Sequence, residues 1–233
     1  MRVEPFDIGS VVHIVKRGAR GMEISRDDAD KWRFVRNLYI LNDLYQPSER
    51  HRERNNDALF SRPAHWPKRK PLVSILAWTL MPNHFHLLLC EQSKGGVPKF
   101  MQRLGSSMTR HYNEKYQERG SLFQGAYKSR TVSSDEYLQY VLSYIIVKNV
   151  FELYPGGLRR AVKNFDQAWQ WATSYPFSSF QTTAFFKSSP IVDSVKLKEL
   201  SLPGRNFKKT SRDMLDTHAS MREDLAPLVL EDW

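Results

Sequence analysis

The chain alternates short, densely apolar runs with longer amphipathic stretches. Val11-Val12-His13-Ile14-Val15 is rich in β-branched residues and predicts a first strand, ended by Gly18 and Gly21. Trp32, Val35, Leu38, Leu41 and Tyr45 then recur at three- and four-residue spacing, the stripe of an amphipathic helix. Ser25 supplies a cap ahead of it, and Asp27 and Asp28 suit the positive end of its dipole. Residues 47–71 are polar, basic and punctuated by proline, which predicts a loop or mobile flap. Leu72–Leu80 and His84–Glu91 read as two antiparallel strands joined by the turn Met81-Pro82-Asn83. The second is apolar on both faces, as expected of a central strand covered on both sides.

Val97, Met101, Leu104, Met108 and Tyr112 mark a second helix, with Gly105 inside it. Gly120–Ser129 reads as a short loop with room for a hairpin strand. Ser133 and Glu136 form a capping box that opens a third helix, with Tyr137, Tyr140, Val141, Tyr144 and Lys148 along one side. Pro155-Gly156-Gly157 closes that region. A short helix over 161–172, a return turn over 174–180 and a last helix over 210–225 follow. This order predicts an α+β fold, an antiparallel sheet with helices packed on it. It is compatible with a ferredoxin-like layout in which one strand is not placed by pattern. Residues 1–186 are expected to form the main domain and 187–233 a C-terminal extension.

At 233 residues, 41% hydrophobic and 26% charged, the chain has the composition of a globular domain with one well-filled core. Its apolar runs are too short to span a bilayer, and Met1–Pro5 lacks a signal-peptide core. Cys90 is the only cysteine, which excludes an intramolecular disulfide and a cysteine zinc cluster and fits a reducing, cytoplasmic setting. The net charge of +10 favours a polyanionic partner. Much of the excess lies in 49–70 and in 97–130, where Lys99, Arg103, Arg110, Lys115, Arg119, Lys128 and Arg130 face only Glu114 and Glu118. Tyr112, Tyr116, Phe123 and Tyr127 are interleaved with these cations, a pattern that suits phosphate contacts with base stacking, or else a solvated helix face above core aromatics.

His84-Phe85-His86 lies inside a strongly apolar strand. Alternate strand residues share a face, so both imidazoles converge on one spot. Such a pair can hold a divalent ion with further oxygen ligands, or can simply hydrogen-bond in the core. A third alternating histidine would suggest histidine-triad chemistry, but that position is Leu88. Tyr144 offers a phenol nucleophile, or one member of an aromatic core stripe with Tyr137 and Tyr140.

Taken together, several segments resemble the single-tyrosine HUH transposases, the IS200-like group that includes REP-associated tyrosine transposases. They are Leu80-Met81-Pro82-Asn83-His84-Phe85-His86-Leu87-Leu88, Gly120–Ser129, Asp135-Glu136-Tyr137-Leu138, Tyr144-Ile145 and Ser174–Ser179, with His13–Gly18 near the start. The resemblance covers roughly residues 9–182. It implies a ferredoxin-like HUH domain that cleaves and rejoins single-stranded, hairpin-forming DNA. His84 and His86 would bind Mg²⁺ or Mn²⁺, and Tyr144 would form a 5′-phosphotyrosine link. Arg103, Arg110, Lys128, Arg130 and Lys148 are the candidate DNA-binding cations. A nucleoid-associated place in the cytoplasm follows, and homodimerisation is left open.

One position departs from the family pattern. Asparagine or glutamine is usual four residues after the tyrosine, and here Lys148 stands there, with Asn149 next. An ammonium has no lone pair for a metal. Asn149 can serve as third ligand through a distorted helix, water can replace it, or Lys148 can contact phosphate instead. The departure also admits a non-catalytic hairpin-binding descendant, and a water-using nuclease is a third alternative.

Overall fold

The computed structural model describes residues 6–45, 59–62, 64–185, 187–200 and 207–220. Strand β1 (Val11–Arg17) is followed by helix α1 (Asp28–Ile40), strands β2 (Val73–Leu80) and β3 (His84–Glu91), helix α2 (Gly96–Tyr116) and strand β4 (Lys128–Thr131). The strands form one sheet in the order β2-β3-β1-β4, with every neighbouring pair antiparallel. This β-α-β-β-α-β arrangement is ferredoxin-like, as expected. The strand that pattern does not place is β4. Its sequence, Lys128-Ser129-Arg130-Thr131, has no apolar alternation, and it is held by pairing with β1 instead of by a hairpin.

The second half is helical: α3 (Asp135–Ser143), a π-turn (Tyr144–Lys148), α4 (Asn149–Glu152), α5 (Gly157–Lys163), α6 (Phe165–Ser174), α7 (Phe180–Phe185), α8 (Ser194–Glu199) and α9 (Phe207–Ser220). Several expected boundaries shift. The cap of α1 is Asp27, whose carboxylate accepts from the Asp30 N–H, and not Ser25. Tyr45 lies beyond that helix. The cap of α3 is Ser134, which accepts from the Tyr137 N–H, one residue past Ser133. The helix expected over 161–172 is two helices broken at Asn164, whose φ of −114° and ψ of 47° leave the helical region. Of the segment 47–71, most of the first half lies outside the described residues, and so do residues 221–225 of the last expected helix.

Directly opposed residues of antiparallel strands share a face. Val15, His86 and Thr79 therefore form one row across β1, β3 and β2. Lys16 and Phe85 belong to the other face, which α1 and α2 cover: Phe34 packs on Phe85 with ring centres 5.0 Å apart. The histidine face is covered by the π-turn, where Tyr144 meets His86 and Thr79 bonds Ile145. Cover on both sides explains why every residue of β2 and β3 is buried. The outer edge of β2 is closed by later chain. Leu80 N–H donates to Phe177 O, Ser179 N–H to Trp78 O and Asp193 N–H to Ile75 O. No helix among the described residues is long and apolar enough to cross a membrane.

Candidate active site

The turn before β3 is built by close backbone packing. Gly18 N–H donates to the Asn83 carbonyl at 2.7 Å. A Cβ on Gly18 would stand 2.2 Å from the Met22 carbonyl oxygen, so only glycine fits there. The Asn83 side chain then meets His84: Asn83 Oδ1 lies 2.6 Å from His84 Nδ1. An amide oxygen only accepts, so Nδ1 is the donor in this contact, and in that tautomer the imidazole's lone pair is on Nε2.

His84 and His86 stand edge to face with ring centres 5.0 Å apart, and His86 lies 5.8 Å from the Tyr144 ring. A third imidazole joins them. His13 of β1 stacks on His86 at 5.3 Å, and its Nε2 is 3.0 Å from His86 Nδ1. His13 is also 6.5 Å from the Tyr144 ring. With the proton on His86 Nδ1, this contact leaves the His86 Nε2 lone pair turned away from His13. The cluster is enclosed, since His86 is fully buried and Tyr144 is 2% exposed.

Helix α3 delivers Tyr144 and changes geometry there. The Asn149 N–H donates to the Tyr144 carbonyl, five residues back. A regular α-helix would send it to Ile145 instead. The Ile145 carbonyl accepts from the Thr79 hydroxyl at 2.5 Å. Single π-turns inside helices are frequent at functional sites. This one inserts a residue, so Asn149 stands one helical turn along from Tyr144. Asn149 is fully buried, and neither polar atom of its side chain has a hydrogen-bond partner among the described residues.

Lys148 is buried beside the phenol. Its Nζ donates to Tyr144 Oη at 3.3 Å and to Glu152 Oε2 at 2.9 Å, and lies 4.8 Å above the Tyr144 ring. It fills the site with a cation, which no metal would have as a ligand. The described residues contain no group of three histidine, cysteine or carboxylate side chains placed to hold a metal. A metal set built on His84 and His86 would therefore need an amide, water or substrate oxygen as well. The unbonded, buried Asn149 amide fits that need in its chemistry.

The remaining candidate cations divide between the two faces. Lys128 and Arg130 of β4 pair with Val15 and His13, which places them on the histidine side of the sheet. Arg130 lies 4.8 Å over the Tyr137 ring, and burial pushes the Tyr137 phenol upward in pKa despite that cation. Arg103 and Arg110 are on α2, on the other side. Arg103 binds the carbonyls of Leu41 and Asp43 and so ties α2 to the end of α1. Arg110 lines an open groove of about 470 Å³ with Lys16, Gln102, Ser106 and Thr109, above Phe123. Of the interleaved aromatics, Tyr112 and Phe123 are core residues, and the Tyr116 hydroxyl donates to buried Asp30. Sequence reasoning gave no site role to His13, Thr79 or Asn83. The one available signal is that His13 and Thr79 are polar residues within apolar strands.

Residues 66–148 match the model of the family described as "Transposase IS200 like". That stretch is about a third of the chain. It holds both histidines, Tyr144 and Lys148, and it ends one residue before Asn149. Over that stretch the chain is similar to the IS200-like transposases, in line with the resemblance read from the sequence. The solved "Structure of the REP associates tyrosine transposase bound to a REP hairpin" aligns with 83% of this chain and 93% of that chain, at 13% identity and a TM-score of 0.46. No curated protein matches the chain by sequence.

Proposed function

We propose that the protein cleaves and rejoins single-stranded DNA through a covalent link to Tyr144, with a divalent metal held by His84, His86 and Asn149. The observation that carries this reading is the enclosed cluster of two strand histidines, a tyrosine ring 5.8 Å from His86, and a lysine ammonium 3.3 Å from the phenol oxygen. A core stripe of tyrosines would not need a buried cation at one hydroxyl.

Bound there, Mg²⁺ or Mn²⁺ would polarise a phosphoryl oxygen of the DNA and orient it for in-line attack. The chain's own residues do the rest. His13 and Asn83 hold the two ligand imidazoles in the tautomers that leave Nε2 lone pairs. The Tyr144 oxygen bonds to phosphorus as the bond from phosphorus to the 3′ oxygen breaks. The phenol gives up a proton and the 3′ oxygen gains one, which leaves a 5′-phosphotyrosine and a 3′-hydroxyl. Attack by another 3′-hydroxyl reverses the step and joins strands without a nucleotide cofactor. Lys148 supplies positive charge where the tyrosine oxygen gains negative charge. Lys128 and Arg130 on the same side of the sheet suit the backbone of the incoming strand. Because Tyr144 is 2% exposed, the DNA must displace its cover to reach it.

The partner expected from the basic charge and the family resemblance is a hairpin-forming single strand. The test is incubation with labelled hairpin oligonucleotides and Mn²⁺, followed by a denaturing gel. A shifted, protein-linked band that is lost with chelator and in Tyr144→Phe is expected, with hairpin binding retained. An adduct of unchanged yield in Tyr144→Phe excludes that nucleophile. Specific, salt-sensitive hairpin binding with no adduct under any metal favours a non-catalytic DNA-binding role, which Lys148 at the usual asparagine position motivates.

A further inference from the structure

Thr79 is a hydroxyl residue in a strand whose every position is buried, and it is itself fully buried. A buried hydroxyl is retained where it has a partner. Its partner is the carbonyl of Ile145, at 2.5 Å. That carbonyl is the one the π-turn deprives of its helical donor, because the Asn149 N–H goes to Tyr144 instead. Thr79 stands directly opposite His86 in the β2–β3 ladder. One hydroxyl thus links the rung that bears a histidine to the turn that bears the tyrosine.

We infer that Thr79 is a positioning residue: its hydroxyl caps the freed Ile145 carbonyl, holds the helix in the π form, and so sets Asn149 one turn along from Tyr144. The inference deepens the metal reading above and rests on it for its functional consequence. Its structural half stands alone. Without the hydroxyl, the unmet demand of a buried carbonyl draws the Asn149 N–H back to Ile145. The extra residue is then lost from the turn, and every position after Lys148 rotates relative to the histidines. Valine is the sharp replacement, since it keeps the shape and removes only the hydrogen bond. Serine restores the hydroxyl without the methyl group.

The experiment compares wild type, Thr79→Val and Thr79→Ser, with Thr79→Ala as the alternative if valine prevents folding. Coupling across the hydrogen bond, read by NMR on metal-free protein, identifies the carbonyl that accepts from the Asn149 N–H. Tyr144 is expected in wild type and Thr79→Ser, and Ile145 in Thr79→Val. Mn²⁺ affinity, measured by titration, is expected to fall about tenfold or more in Thr79→Val, as for lost supporting contacts at metal sites, and to recover in Thr79→Ser. A merely structural threonine would lower the melting temperature and leave both readouts unchanged. Coupling to Tyr144 that persists in Thr79→Val, or coupling to Ile145 in wild type, overturns the inference. If wild type binds no Mn²⁺, the metal reading fails and the hydrogen-bond readout still decides the role of Thr79.

Discussion

Replacing Lys148 by methionine removes the charge beside the Tyr144 phenol while keeping most of the length of the side chain. A full phenolate 3.3 Å from an ammonium would gain about 5 kcal/mol at an effective dielectric constant of about 20. Two features reduce that figure. Glu152, 2.9 Å from the same Nζ, neutralises part of the cation, and the tyrosine oxygen carries only partial charge as it attacks phosphorus. About 2 kcal/mol remains, which is roughly a thirtyfold loss in the rate of adduct formation. Stability should suffer little. Glu152 is 46% exposed on its side chain, so losing Lys148 strands no buried charge. The assay is single-turnover adduct formation on a denaturing gel, at saturating oligonucleotide and Mn²⁺.

The same position separates two views of the family departure. If Lys148 occupies a lost ligand position on a regular helix, Lys148→Asn should tighten Mn²⁺ binding and speed cleavage. If the π-turn already brings Asn149 to that duty, Lys148→Asn should slow cleavage much as methionine does, with Mn²⁺ affinity unchanged. Faster cleavage in Lys148→Asn would refute both the role given to Lys148 and the register given to Asn149.

Asn149→Leu should leave the melting temperature unchanged or raise it, since the buried amide has no hydrogen bond to lose among the described residues, while Mn²⁺ affinity drops; intact affinity would remove Asn149 from the ligand set. Asp30 is buried at the start of α1; burial alone would raise its pKa, but hydrogen bonds from Lys115, Tyr116, the Arg26 N–H and His111 hold it well below the ordinary 3.8. Its stabilisation is therefore complete above pH of about 4 and is lost as pH falls toward the depressed folded value, and Asp30→Asn should cost about 2 kcal/mol in urea unfolding at pH 7 and less in acid. Gly105→Ala should be neutral or stabilising by up to about 1 kcal/mol, because alanine suits a helix interior and its Cβ meets, at 3.2 Å, only the flexible Lys16 Cε; a large loss of melting temperature would contradict this.

What the sequence exposes and what it hides follow from range. β2 and β3 are legible because their apolar runs are continuous and the turn between them has its own residue signature. His84 and His86 are legible as a pair because strand alternation is a local rule. β4 is not, since four polar residues become a strand only through pairing with β1, more than a hundred residues earlier. His13 is invisible as a site residue for the same reason: its contact with His86 spans 73 residues and depends on the register of β1 against β3. The caps at Asp27 and Ser134 moved by a residue or two because neighbouring serines and aspartates offer equivalent oxygens, and only the backbone decides among them.

The register of Asn149 is a different case, because the sequence raises a distorted helix only as one of several alternatives. Counting four residues from Tyr144 assumes a helix of constant pitch, and on that count Lys148 falls where the family keeps an amide. The π-turn changes the count by one, and no local feature of Tyr-Ile-Ile-Val-Lys announces it. The partner sits 66 residues away, in the buried hydroxyl of Thr79 on a mostly apolar strand. Thr79 is a polar residue in a mostly apolar strand, Asn149 is a buried amide with no hydrogen-bond partner among the described residues, and the helix that bears Tyr144 leaves its regular ladder. Each departs from the regular pattern of a well-packed apolar core. Their meeting within one turn of Tyr144 is the structural support for the proposed site, because folded chains tolerate such conflicts mainly where function requires them.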